Sequence, residues 1–166
     1  MPPFERTTCD CSQCQVGCQT MPGSLRLGDA ERIADHLGEA YDDNFLLRYF
    51  QASEGPLVSR DGVPFRVPTL VPKLTPDGCV FFSEGRCQIH AVAPFGCSHF
   101  DVHMTREEGD ARSCWHISEL LKVLQAGDHP YYRGVALLAG REQVAPPLHV
   151  RRAAFVRVAT ELSGES

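Results

Sequence analysis

Eight cysteines are the residues of this 166-residue chain best suited to chemistry, and their spacing is uneven. Four crowd the N-terminal region as Cys9-x-Cys11-x2-Cys14-x3-Cys18. Three more follow as Cys79-x7-Cys87-x9-Cys97, and Cys114 stands alone. Thiolates two residues apart can converge on one ion at about 2.3 Å from each sulfur. The short loops that gather them cost little entropy. Cys11 and Cys14 meet this spacing, and Cys18 is near enough to join them through a tight turn. Inert buried thiols are the competing reading. That suits a lone cysteine on an apolar face, as for Cys114, and does not suit four cysteines among Gln, Ser, Asp and Thr. All-thiolate tetrahedral sets favour zinc or iron–sulfur. The expected metal ligands are therefore Cys11, Cys14, Cys18, Cys79, Cys87 and Cys97, with Cys9 and Cys114 as secondary candidates. Six thiolates exceed one mononuclear or one cubane site, and eight would fill two.

A second group of ligand-type residues spans Cys97-Ser98-His99-Phe100-Asp101-Val102-His103, followed by Cys114-Trp115-His116. His99-x-Asp101 has the form of part of a two-histidine-one-carboxylate iron site. Such sites take their second histidine far downstream on a β-barrel, which this sequence does not offer. Polar residues that orient a thiolate centre are the favoured reading of His99, Asp101, His103 and His116. A metal-dependent modifying enzyme or accessory built on these four is the alternative. No Ser–His–Asp set and no glycine-rich phosphate loop is present. His36 and His149 fall on helical patterns and read as surface or packing residues.

The elements that must position these groups follow from periodicity and punctuation. Residues 9–28 lack apolar periodicity and read as an irregular loop. Ala30, Ile33, Ala34 and Leu37 mark one buried helical face, with Gly28 or Asp29 before it and Gly38 after it. A second short helix fits Asp43 to Ala52. Prolines at 64, 68, 72 and 76 make the next stretch extended, because each removes a donor and clashes with a helical turn. Val63, Phe65, Val67, Leu70, Val71 and Leu74 still need burial there, which predicts a wrapped segment packed on the helices. A proline-rich segment presented to a partner is the alternative, a protein-interaction module. Cys79–Phe82 and Arg86–Ile89 flank Ser83-Glu84-Gly85 as a hairpin. With a three-residue loop, Phe81 opposes Cys87 and Cys79 opposes Ile89, which places Cys79 and Cys87 on one face. Residues 113–163 are helical again, with Ser113 as a cap, an apolar face of Ile117, Leu120, Leu121 and Leu124 ending before Gly127, and a last helix from Leu148 to Leu162. The fold class expected is mainly α, with a small β-hairpin and extensive loops organised around a cysteine metal or iron–sulfur site. The length favours a single domain over 1–166.

Composition narrows the function. The net charge of −5 and the absence of a basic stripe argue against nucleic acid. No apolar run approaches ~18 residues, which argues against a membrane span. Glu5, Asp10 and four cysteines occupy the region where a leader would need an apolar stretch. The expected location is cytoplasmic, where thiols stay reduced. The partner expected is a protein or small molecule of unassigned identity.

The ordered series of motifs resembles the CxxCxxCC cysteine-cluster family, also called YkgJ-like, a zinc- or iron-chelating domain. The matching residues are Cys11-Ser-Gln-Cys14-Gln-Val-Gly-Cys18, Leu27-Gly-Asp29 into the helix ending at Leu37-Gly38, and Phe45-Leu46 to Tyr49. They continue with Gly78-Cys79-Val80-Phe81, Gly85-Arg86-Cys87-Gln88-Ile89-His90 and Pro94-x2-Cys97. The resemblance covers about 9–103. It implies metal or iron–sulfur chelation. The family's adjacent cysteine pair is Cys18-Gln19 here, with Cys9 added upstream. The family's tyrosine is His90, and its two arginines are Ala93 and Ser98. No nucleotide or methyl-donor fingerprint accompanies the series. The function expected is a cysteine-ligated metal protein whose site is mainly structural or redox.

Overall fold

The structure is a computed structural model and describes residues 1–164. Seven α-helices and four small antiparallel strand pairs are present among them, with 48% of residues helical. The helices are α1 (Ser12–Thr20), α2 (Asp29–Leu37), α3 (Asp43–Tyr49), α4 (Phe95–Ser98), α5 (Arg106–Ala126), α6 (Pro130–Gly140) and α7 (Leu148–Ser163). The strands pair as β1 (Phe50–Ser53) with β4 (Thr69–Pro72), and β2 (Leu57–Arg60) with β3 (Val63–Arg66). β5 (Leu74–Thr75) pairs with β6 (Gly78–Cys79), and β7 (Phe82–Ser83) with β8 (Arg86–Cys87). No helix among the described residues is long and apolar enough to cross a membrane.

α2 follows its pattern: Ala30, Ile33 and Ala34 are buried, and Gly38 ends the helix in the left-handed region. α3 starts where the Asp42 carboxylate accepts the Phe45 N–H at 2.9 Å. It stops at Tyr49, short of the expected Ala52. Phe50–Ser53 instead pair antiparallel with Thr69–Pro72, and Ala52 also exchanges backbone bonds with Gln143 and Ala145. Tertiary pairing overrides the local helical pattern.

Residues 9–28 are not wholly irregular, since α1 occupies their centre. It buries Val16 and no other residue, so it carries no periodic stripe. α5 starts before Ser113. Thr105 and Glu108 form a reciprocal capping box, and Ser113 lies inside the helix. Gly127 closes α5, as its position after the apolar face predicts. The last helix reaches Ser163, and α6 fills the interval before it.

The proline-rich stretch divides. Val67, Leu70 and Val71 are buried, while β2 and β3 form an outlying hairpin that leaves Leu57 and Val63 exposed. Val63 therefore does not need the burial its type suggests. The cysteine hairpin is also rebuilt. Its turn is two residues, Glu84-Gly85, both at positive φ, and the pairs are Phe82 with Cys87 and Ser83 with Arg86. Two left-handed residues match the twist of the strands they join. Cys79 pairs with Leu74 in the neighbouring ladder instead of with Ile89.

The core is centred on Ile33, Phe45, Phe50, Leu70, Phe81 and Leu138. Tyr131 reaches through it: its hydroxyl donates to the Leu25 carbonyl at 2.8 Å and accepts from the Leu70 N–H at 2.9 Å. That ties α6 to β4 and to the segment that approaches the cysteines.

Candidate metal centre

The N-terminal segment is fastened before it delivers its cysteines. The Thr7 N–H donates to the Ser98 carbonyl at 2.8 Å. The Arg6 guanidinium donates to the Ala91 carbonyl at 2.7 Å and to that of His90. Phe4 meets Trp115 edge-on, and Arg112 lies over the Phe4 ring. Cys9 and Cys11 then arrive beside the first turn of α1, which carries Cys14.

Here the first set forms. The ligand atoms of Cys9, Cys11 and His103 lie within 4.8 Å of one another. The Cys14 sulfur is 3.3 Å from that of Cys9, and the His103 Nε2 is 3.6 Å from the Cys11 sulfur. The loop after α4 supplies His103. Asp101 accepts the His103 N–H at 2.8 Å, which fixes the turn, and the Val102 N–H faces the Cys14 sulfur. Cys11 is the N-cap of α1. The Cys14 N–H, with His103 behind it, lowers the Cys11 thiol to about 6. Cys14 shows the opposite shift, pushed up to about 12 by burial and by the neighbouring thiols.

A second set lies deeper. Cys18 follows Cys14 by one turn of α1 and lines a common cavity with Cys79, Cys87 and Cys97. Cys97, on α4, is near enough for Cys79, Cys18 and Cys87 to raise its thiol electrostatically. Burial, then mutual repulsion, pushes Cys18 up to about 11, Cys79 up to about 12 and Cys97 well above the ordinary thiol range. Burial raises Cys87 also. Backbone N–H groups face these sulfurs: Phe81 and Phe82 at Cys79, Ile89 at Cys87, and Gly23 at Cys97 at 3.1 Å. Gly78, at φ +113, lets β6 lie against α1; a Cβ there would meet the Gln19 backbone at 3.1 Å.

α4 is held by a buried carboxylate. Asp29 accepts the Phe95 N–H at 2.8 Å and the Arg26 N–H at 2.9 Å, and it pairs with Arg32 at 3.0 Å. Burial still raises its pKa, with those donors and the arginines opposing. Phe95 in turn stacks on His99 and lies near Trp115 and His116.

The residues singled out in the sequence thus separate. Cys14 and Cys18 fall in different sets. Cys9 and Cys11 join Cys14. Cys79, Cys87 and Cys97 join Cys18. Cys114 is exposed on α5 and belongs to neither set. His99 is buried against Ser98, and His116 bonds the Ser24 hydroxyl at 2.9 Å; burial lowers both rings to about 4. Of the four His/Asp candidates only His103 approaches a sulfur, and its proximity to Cys11 across the chain has no signature in spacing. The Gly23–Cys97 contact was also hidden, although Gly23 and Gly96, each beside a turn residue, were its available signal.

A cavity of about 840 Å³ is lined by Cys9, Cys14, Cys18, Cys79, Cys87 and Cys97 together with apolar and charged residues, Arg6, Arg86 and Asp101 among the latter. All eight cysteines are free thiols. Comparison with protein-family models, curated proteins and solved structures found no match.

Proposed function

We propose that this chain is a cysteine-ligated metal protein, holding zinc or an iron–sulfur cluster, whose centre serves structure or electron transfer. One observation carries the reading: Cys9, Cys11 and His103 place their ligand atoms within 4.8 Å of one another, beside Cys14. Soft sulfur with imidazole suits zinc, and all-thiolate sets suit zinc or iron–sulfur. The resemblance to the YkgJ-like family supports the same class. Free thiols in such number fit a reducing compartment, consistent with a cytoplasmic protein.

Metal and acid-labile sulfide, measured with an absorption spectrum on anaerobically purified protein, test it. Stoichiometric zinc or iron with sulfide is the expected result. Protein that takes up neither after reconstitution refutes the reading. Binding also supplies folding free energy, so chelation and Cys14→Ser should both lower the melting temperature.

The cavity favours a second reading, a metal-dependent modifying activity, because a purely structural ion needs no adjoining space. Such a centre keeps an open ligand position. Azide or imidazole should then shift the spectrum of cobalt-substituted protein, and an unchanged spectrum removes this reading.

A further inference from the structure

We infer that the chain holds two separate centres of different nuclearity: a mononuclear zinc ion on Cys9, Cys11, Cys14 and His103, and a polynuclear iron–sulfur cluster on Cys18, Cys79, Cys87 and Cys97. This rests on the metal-binding reading above and adds which residues share a centre, how many centres exist and which metal each takes.

The first set has the dimensions of one ion. Sulfurs held at the zinc–thiolate distance around a tetrahedron lie roughly 3.8 Å apart. The Cys9–Cys14 and Cys11–His103 separations, 3.3 and 3.6 Å, sit just inside that edge. Cys9, Cys11 and His103 are the compact part of the set, and Cys14, 3.3 Å from Cys9, supplies the fourth ligand of a three-sulfur, one-imidazole set familiar for zinc. The Asp101 carboxylate orients the His103 backbone, and the Val102 N–H meets Cys14, so a single loop serves two ligands.

The second set is wider. Its four cysteines line one cavity, yet among the described residues no three of their sulfurs lie within 4.8 Å of one another, as the ligand atoms of Cys9, Cys11 and His103 do. A cubane, which presents a separate iron to each thiolate, suits that wider spread. Four cysteines are the ligand count of such a cluster. The adjoining space of about 840 Å³ has room for it. The Gly23 N–H already donates to the Cys97 sulfur at 3.1 Å. Donors of this kind stabilise cluster sulfur and set its potential. Cys14 and Cys18 stand one helical turn apart on α1, so the two centres are neighbours without a shared ligand.

The test is the metal inventory of the full chain, expressed with iron and zinc, purified anaerobically and compared with two pairs of variants. The wild type should carry about one zinc and about four iron with four sulfide per chain. His103→Ala and Cys11→Ser should lose the zinc and keep iron, sulfide and visible absorption. Cys79→Ser and Cys87→Ser should lose iron and sulfide and keep the zinc; Cys87, only partly buried, guards against simple misfolding at Cys79. If His103→Ala and Cys87→Ser each deplete both metals in proportion, one shared centre exists and the inference fails. Zinc at both sets with no sulfide also overturns it while leaving metal binding intact. A wild type that binds no metal removes both readings together.

Discussion

Gly23 and Gly96 cross backbone against backbone: a Cβ on Gly23 would lie 2.0 Å from the Gly96 carbonyl carbon, and one on Gly96 would lie 2.4 Å from the Ser24 nitrogen. The crossing is locked by the Gly96 N–H donating to the Ser24 carbonyl at 2.9 Å. It is this contact that sets the Gly23 N–H on the Cys97 sulfur. Gly23→Ala must therefore push the two segments apart. The expected cost is about 3 kcal/mol or more, by overpacking of a site that cannot yield, with loss of the metal proposed at Cys97. Gly17→Ala is the control. No atom approaches within 4 Å of that position, and alanine in α1 should stabilise by about 0.5–1 kcal/mol. Urea unfolding of both variants with metal analysis decides the matter. Equal stabilities would show that the crossing is not needed.

Tyr131→Phe probes the support behind that crossing. The hydroxyl bridges the Leu25 carbonyl and the Leu70 N–H, both buried. Its removal leaves two backbone groups without that partner at almost no change in volume. The two segments also share a direct bond, Leu25 N–H to the Leu70 carbonyl at 2.8 Å, so the fold should persist. A loss of about 2–4 kcal/mol is expected, read from the denaturant midpoint at constant slope. A change under about 0.5 kcal/mol would mean the hydroxyl bridges nothing of consequence.

His116 makes stability depend on pH. Burial holds the folded ring neutral down to about 4, while the unfolded ring takes its proton near 6.5. The unfolded state therefore binds more protons between these values, so stability falls as pH drops through the window from 6.5 to 4. The limit for one such ring is about 3 kcal/mol. His116→Leu should flatten the urea midpoint against pH over this range, with His99 retaining its own share. A profile as steep as the wild type's would place the proton-linked group elsewhere.

What was legible in the sequence depended on whether local chemistry and burial agreed. α2 could be read because Ala30, Ile33 and Ala34 bury the face their spacing marks, between two glycines suited to its ends. α1 could not, since Val16 is the one residue it buries and its remaining positions are polar or cysteine. The division of the cysteines was hidden for a related reason. Cys14 and Cys18 are neighbours in sequence and on one helix, and spacing alone assigns them to one ion. Their partners are chosen by chain segments distant in sequence: the His103 loop for the first, and β6, β8 and α4 for the second. The hairpin turned on one residue of loop length, and Glu84 adopting a left-handed conformation beside Gly85 shifted the register.

Cys11 should be the most reactive thiol of the metal-free chain at mildly acidic pH. It caps α1, where the Cys14 N–H meets its sulfur, and His103 lies at 3.6 Å; together they lower it to about 6. Thiolate, not thiol, attacks an alkylating agent. Cys18 and Cys79, raised to about 11 and about 12 by burial, stay protonated at the same pH. Brief treatment of reduced apoprotein with iodoacetamide, in a Cys114→Ser background that removes the exposed thiol on α5, should label Cys11 first. The rate should rise with pH about a midpoint near 6. His103→Gln should move that midpoint upward, since the ring no longer stabilises the thiolate. Added zinc should protect Cys11, because the same electron pair then binds the ion. Peptide mapping by mass spectrometry reads all three outcomes, and equal labelling of Cys11 and Cys79 in folded protein would contradict the placement of both.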